Sequence, residues 1–182
     1  MPTSRDLADL PEDDHEHWLI RGHLRTSADR FHTRDQGEVT SRLSYWLCEW
    51  CDRHSDLGLR VYSCAHCRLA RDPDTVLLAH VTIARPDSWV TVRGRDRELI
   101  DGPPALIVDV VDVRDDPALV AEREECYSAV RGAAVWVIDP GTRQGIVYEN
   151  GQPCLVSAAH GGVLTAACLP GLVLDIRDVF DD

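Results

Sequence analysis

The chain has 182 residues, 44% of them hydrophobic and 27% charged, which is the balance of a globular domain with room for a sizeable core. Its formal net charge of −12 argues against tight, sequence-independent binding to nucleic acid, which needs basic surface. No apolar run approaches the roughly 20 residues that span a bilayer, and the acidic start lacks the apolar stretch of a signal peptide, so a cytoplasmic protein with no membrane partner is expected. In that compartment the seven cysteines read as thiols or metal ligands rather than disulfides. All 19 basic residues are arginine, and the chain has no lysine.

Residues 1–16 are acidic and aperiodic and read as a flexible arm, leaving 17–182 as a single domain. His17–Leu24 reads as a short strand or turn, and 26–37 as a loop. From Glu38 to Arg53 the apolar spacing is helical, with Val39, Leu43, Trp46 or Leu47, and Trp50 on one stripe. Leu59–Ser63 and Thr75–Ala84 read as strands, with a turn at residues 71–74. Residues 85–101 are polar and read as an exposed insertion.

Ala105–Val113 is the next expected strand. Asp115 or Asp116 can cap a helix that carries Pro117 in its first turn and runs to about Val130. Ala134–Ile138 is an apolar strand, and Gly145–Glu149 follows it in a hairpin pattern. Short strands near Cys154–Val156 and at Leu172–Ile176 close the chain, with a last turn ending near Phe180. The fold class expected is α/β, a mixed central sheet flanked by helices.

Three polar residues stand where apolar ones belong: His80 in VLLAHVTI, Asp109 in LIVDVV, and Arg123 on the inward stripe of the 117–130 helix. Arg123 lies four residues after Leu119 and four before Tyr127, on the face that a βαβ unit turns to the sheet carrying Asp109. A lone buried carboxylate is costly unless a cation or hydrogen bonds meet it. Two readings follow. In one, carboxylates on adjacent strands hold Mg²⁺ and a nearby cation stabilises charge on a phosphate. In the other, Asp109 and Arg123 form a buried ion pair and His80 is a core histidine.

The run GPPALIVDVVDV, the acid-capped helix ending in Tyr127, then AVWVIDPGTRQGIVY and LPGLVLDIRDVF together resemble the Uma-two family, described as restriction endonucleases of the PD-(D/E)XK nuclease superfamily. The resemblance is strongest from Leu59 to Phe180. It implies a restriction-endonuclease-like core and a metal-dependent DNA endonuclease, with Mg²⁺ or Mn²⁺ as cofactor and DNA as partner. It also places the family's site residues. Its strand aspartate falls on His80, its next acid on Asp109, its helix lysine on Arg123, and an early glutamate on Trp18.

Each of these positions is altered. Histidine replaces an anionic oxygen by a neutral nitrogen, which weakens a Mg²⁺ site and favours Mn²⁺ or Zn²⁺. Arginine keeps the lysine's charge but cannot transfer a proton near neutral pH. It can instead pair bidentately with Asp109 and fill the metal's place. The local acids Asp112, Asp115, Asp116 and Glu122 could compensate. Asp109, His80 and Arg123 are therefore the expected catalytic residues, with Asp109 and His80 as ligands of a divalent cation. The competing reading is a catalytically degenerate nuclease fold acting as a binding or regulatory module.

Cys48-x-x-Cys51 and Cys64-x-x-Cys67 have spacing that suits a structural Zn²⁺ site, with His54 and His66 nearby. Against it, Cys48 and Cys51 fall inside a continuous helical pattern, and buried thiols pack well as small apolar groups. A homodimer is the expectation from base rates alone.

Overall fold

The computed structural model describes residues 1–11, 13, 15–27, 33–92 and 97–180. Parts of the expected 26–37 loop and of the 85–101 insertion, residues 28–32 and 93–96, lie outside the described residues.

The chain opens with α1 (Ser4–Ala8), then a hairpin of β1 (His17–Ile20) and β2 (His23–Thr26). Helix α2 (Arg34–Arg53) is followed by β3 (Arg60–Ala70), β4 (Thr75–Ala84), β5 (Trp89–Thr91), β6 (Glu98–Asp101) and β7 (Leu106–Val110). Next come α3 (Pro117–Ala129), β8 (Ala134–Asp139), β9 (Gln144–Glu149), β10 (Gln152–Ser157), β11 (Val163–Thr165), β12 (Val173–Asp175) and α4 (Ile176–Phe180). Among the described residues the main sheet has ten strands, ordered β10-β9-β8-β7-β4-β3-β6-β5, with the β1–β2 hairpin joined through β4. The β7–β8 pair is parallel and β4–β7 antiparallel, so the sheet is mixed, as expected.

Alternation along the strands builds two cores. Val108, Val110, Trp136 and Ile138 pack in one cluster with α2 and α4, while Ile107, Val135 and Val137 pack in the other with Cys126 and Tyr127 of α3. Asp109 lies between Val108 and Val110 in sequence, so its side chain points into the α3 layer.

Four expectations change. The 1–16 segment contains α1, and Leu7 buries with Leu19 and Val76 in a third small cluster. Asp74 accepts from the Ser4 backbone N–H at 2.8 Å, joining the start of α1 to the turn before β4. Helix α2 starts four residues before Glu38, because Thr33 caps it by accepting from the Gln36 N–H at 3.3 Å. Strand β3 runs on past the expected Leu59–Ser63 segment to Ala70. The 85–101 segment contributes β5 and β6 to the sheet, with Leu99 and Ile100 buried; its apolar residues were masked by the surrounding charge.

The strand that matters most for the site is β4. One of its edges is taken by β3 from Thr75 to Ala84. The other is shared: β1 meets it at Val76 and β7 at Val81–Ile83. Between them the edge forks, and His80 sits at that fork. Its Nδ1 lies 3.1 Å from the Val110 N–H, where a ladder partner would otherwise stand.

Candidate active site

Asp109, His80 and Arg123 meet, and all three are nearly inaccessible, at 2%, 5% and 2% exposure. Arg123 Nε donates to Asp109 Oδ2 at 3.0 Å. The Tyr127 hydroxyl donates to the same oxygen at 2.9 Å. His80 Nδ1 lies 3.2 Å from Asp109 Oδ1. Arg123 does not grip Asp109 bidentately, as sequence reasoning allowed. It bridges instead, with a terminal guanidinium nitrogen donating to Asp115 Oδ2 at 2.9 Å. Trp18 covers the guanidinium, its ring centroid 5.1 Å from the central carbon. The four positions given by the family resemblance thus come together in space.

The electrostatics follow from this packing. Burial alone would raise the Asp109 carboxyl. The Arg123 charge, the His80 contact and the Tyr127 hydrogen bond outweigh it and hold Asp109 well below the usual carboxylate range. Burial lowers His80, but Asp109 overrides it and draws the ring above its ordinary value. Arg123 is desolvated yet lifted further by Asp109, and Tyr127 is pushed far up by burial and the same carboxylate. The network is therefore built around an ionised Asp109.

The other local acids, Asp112, Asp116 and Glu122, are engaged elsewhere. Asp112 accepts from the backbone N–H of Thr33 at 3.1 Å and of Arg114 at 2.9 Å, as well as from the Arg114 guanidinium. Asp116 caps α3 by accepting from the Ala118 N–H at 2.9 Å. Glu122 takes two hydrogen bonds from Arg25, at 2.8 and 3.1 Å, tying the β1–β2 hairpin to α3.

A divalent cation does not fit this donor set. Mg²⁺ or Mn²⁺ wants several oxygen ligands around a vacant centre. Here Asp109 Oδ2 already accepts from Arg123 and Tyr127, Oδ1 lies against His80, and a guanidinium stands between Asp109 and Asp115, the nearby acid. Among the described residues no three His, Cys, Asp or Glu side chains are arranged to hold a metal ion.

The four zinc-candidate cysteines do not converge either. Cys51 lies in the core under α2 and Cys67 in the core under α3, in different clusters, while Cys48 and Cys64 are exposed. Their x-x spacing sits on one helix and one strand rather than on two tight turns. Burial pushes the Cys51 thiol up to about 11 and Cys67 up to about 12, so neither is a ready thiolate. The neighbouring imidazoles are occupied: His54 Nδ1 bonds the Trp50 carbonyl and His66 Nε2 the His17 carbonyl. We expect metal analysis of the purified protein to find below about 0.1 zinc per chain, with Cys48→Ser folding like wild type. Stoichiometric zinc lost in that variant would overturn the structural assignment.

Gln36 is a member of the site that sequence reasoning missed. It comes from the first turn of α2, inside the stretch read as a loop. Its Nε2 lies 2.7 Å from the Val110 carbonyl and 3.1 Å from His80 Nε2. The T-x-x-Q pattern of Thr33–Gln36 is a capping-box signature and was the available signal for a helix start there.

The fold is a mixed α/β sheet flanked by helices, the restriction-endonuclease-like core that the sequence led us to expect. The Uma2 family model, described as "Putative restriction endonuclease", matches residues 4–177, and the chain belongs to that family. A solved structure described as a "putative nuclease belonging to DUF820" from Anabaena variabilis ATCC 29413 superposes with a TM-score of 0.74. It covers 99% of this chain and 98% of its own at 14% identity, which is a likeness of fold. No curated protein matches the sequence. No helix among the described residues is long and apolar enough to cross a membrane.

Proposed function

We propose that this chain keeps the nuclease fold but has exchanged its metal-dependent site for an internal ion pair, and that it acts as a binding or regulatory module. The observation that carries this is the Arg123 guanidinium bridging Asp109 and Asp115. It supplies the positive charge that a divalent ion would bring to an acidic nuclease site, and it does so from within the protein. Trp18, at the position of the family's early glutamate, stacks on that guanidinium instead of adding a ligand. The substitutions at 18, 80 and 123 are therefore mutually consistent, as expected of a site that has settled into a structural role. The net charge of −12 favours a protein partner over non-specific DNA.

The family supports a second reading, a metal-dependent DNA endonuclease with altered ligands. The favouring observation is positional: an acid on β7 and a cation on α3 meet beside β4, at the points where the family's acid and lysine fall. Asp109 and His80 would then hold Mg²⁺ or Mn²⁺ and Arg123 would stabilise charge on the phosphate. This requires Arg123 to leave the carboxylate.

Plasmid and single-strand cleavage with Mg²⁺ or Mn²⁺, run beside Asp109→Ala, separates the two. We expect no cutting by the wild type. Metal-dependent cutting that disappears in the variant would reject the module reading. His80→Asp combined with Arg123→Lys tests whether only the ligands have drifted, because a gain of cleavage there would show that the rest of the catalytic frame is intact.

A further inference from the structure

We infer that a cavity beside the closed site takes an arginine side chain of a protein partner, with Glu98 as the carboxylate that meets the guanidinium. The inference rests on the reading of the chain as a binding module and names the chemistry of what it binds.

The cavity measures about 440 Å³, within the range of small-ligand sites. The segment from Leu7 to His17, the β3–β4 pair and the start of β6 surround it. His66 on β3 and Leu78 on β4 are ladder partners that line it, and Leu78 stands two residues before His80. Leu7, Pro11 and Leu78 supply its apolar lining.

Two polar groups of the lining have no partner among the described residues. Glu98 is exposed at the rim, and its carboxylate makes no ion pair and accepts no hydrogen bond. The half-buried His66 turns Nε2 to the His17 carbonyl at 3.1 Å, which leaves its other ring nitrogen without a partner. Polar atoms set in from the surface are ordinarily bonded, so a ligand that supplies the missing contacts is favoured.

The charges select the ligand. Among the described lining residues three carboxylates, Asp13, Glu16 and Glu98, stand against one guanidinium, that of Arg97. Arg97 donates to the Leu10 carbonyl at 3.1 Å, and Asp13 meets the His17 ring at 2.9 Å. The balance favours a cation, and the net charge of −12 attracts a basic partner from a distance. Arginine suits the lining better than lysine. Its guanidinium is weakly hydrated, meets a carboxylate with two parallel N–H groups and stacks on flat rings, while the apolar lining covers its methylenes.

Amide ¹H–¹⁵N spectra of the whole chain, titrated with N-acetyl-arginine methylamide, test this. Shifts should concentrate at Leu7, His66, Leu78 and Glu98. The citrulline analogue has the same shape without the charge and should bind about fivefold more weakly. Glu98→Gln should weaken arginine binding by about the same factor. Asp56→Asn, an exposed acid outside the cavity, should leave it unchanged. The lysine analogue should bind more weakly than arginine. No shifts at these residues with about 10 mM probe would overturn the inference, as would equal affinity for citrulline or an affinity indifferent to Glu98→Gln. Equal affinity for lysine would overturn the assignment to arginine. Shifts scattered over acidic residues elsewhere would show only general attraction to an acidic chain and would overturn the site. A chain that cuts DNA yet binds the probe here rejects only the proposed function, and one that neither cuts nor binds rejects only this inference.

Discussion

Arg123→Ala should lower stability by about 3–5 kcal/mol, the usual cost of removing one partner from a buried ion pair. For a chain of this size that corresponds to a fall in Tm on the order of 10 °C. The loss is large because nothing can replace the cation. Asp109 would keep Tyr127 as a donor and His80 beside it but would hold its charge at 2% exposure with no compensating guanidinium. Asp115 would lose a bond, and Trp18 would face a cavity where it now stacks. Lysine should recover only part of the loss. Its ammonium is a compact charge that cannot span both carboxylates and lie flat on an indole ring. The double variant Asp109→Leu with Arg123→Met should lie closer to wild type than Arg123→Ala, because removing both charges also removes both desolvation costs. Thermal or urea melts of the four proteins give this ranking. A Tm for Arg123→Ala within about 2 °C of wild type would mean that the pair is not the structural element described here.

Asp109→Asn should cost a comparable amount at neutral pH, and the cost should fade in acid. The sign follows from the direction of the shift. Asp109 sits well below its ordinary value in the folded chain, held there by Arg123 against the penalty of burial. Its contribution is present above the unfolded value of about 3.9 and is lost as pH falls below that, toward the folded value. The stability gap between wild type and Asp109→Asn should therefore be constant from about pH 7 to 5 and narrow steadily below about pH 4. Taking the difference between the two proteins cancels the other acids that also titrate low, among them Asp112, which Arg114 and Thr33 hold down. A gap that stays constant to the acid unfolding limit would show that the carboxylate is not the ionised centre of the network.

These two experiments bear on function as well as stability. In a working metal-dependent site, removing the cation beside the carboxylate would open room for the metal, and added Mg²⁺ or Mn²⁺ would then raise the Tm of Arg123→Ala. In a settled ion pair, the same additions would leave that variant as unstable as before.

The strands β4, β7, β8 and β9 and the helix α3 were legible in the sequence because each repeats one local rule along its length. Apolar runs bounded by turn residues mark the first group, and an acid cap followed by proline marks the helix. Their ladder also put Asp109 and Arg123 within reach of each other, since i,i+4 spacing and the βαβ connection fix which faces meet. The hairpin of β5 and β6 was hidden, because short strands among charged residues carry little periodicity. The two Cys-x-x-Cys pairs lie apart for a related reason: x-x spacing counts residues, and a helix and a strand carry such pairs in different directions.

What the sequence determined by itself is the fold class, the family resemblance, and the identity of the polar residues forced into the core. Local patterning and burial cost are properties of the chain and need no coordinates. Only the tertiary structure decided how those residues are partnered. Arg123 bridges two carboxylates instead of clasping one, Trp18 lies on the guanidinium, and Gln36 reaches His80 across the fork between β4 and β7. These contacts join residues up to 105 positions apart, from Trp18 to Arg123. Their geometry depends on where one sheet edge divides, which no local pattern records.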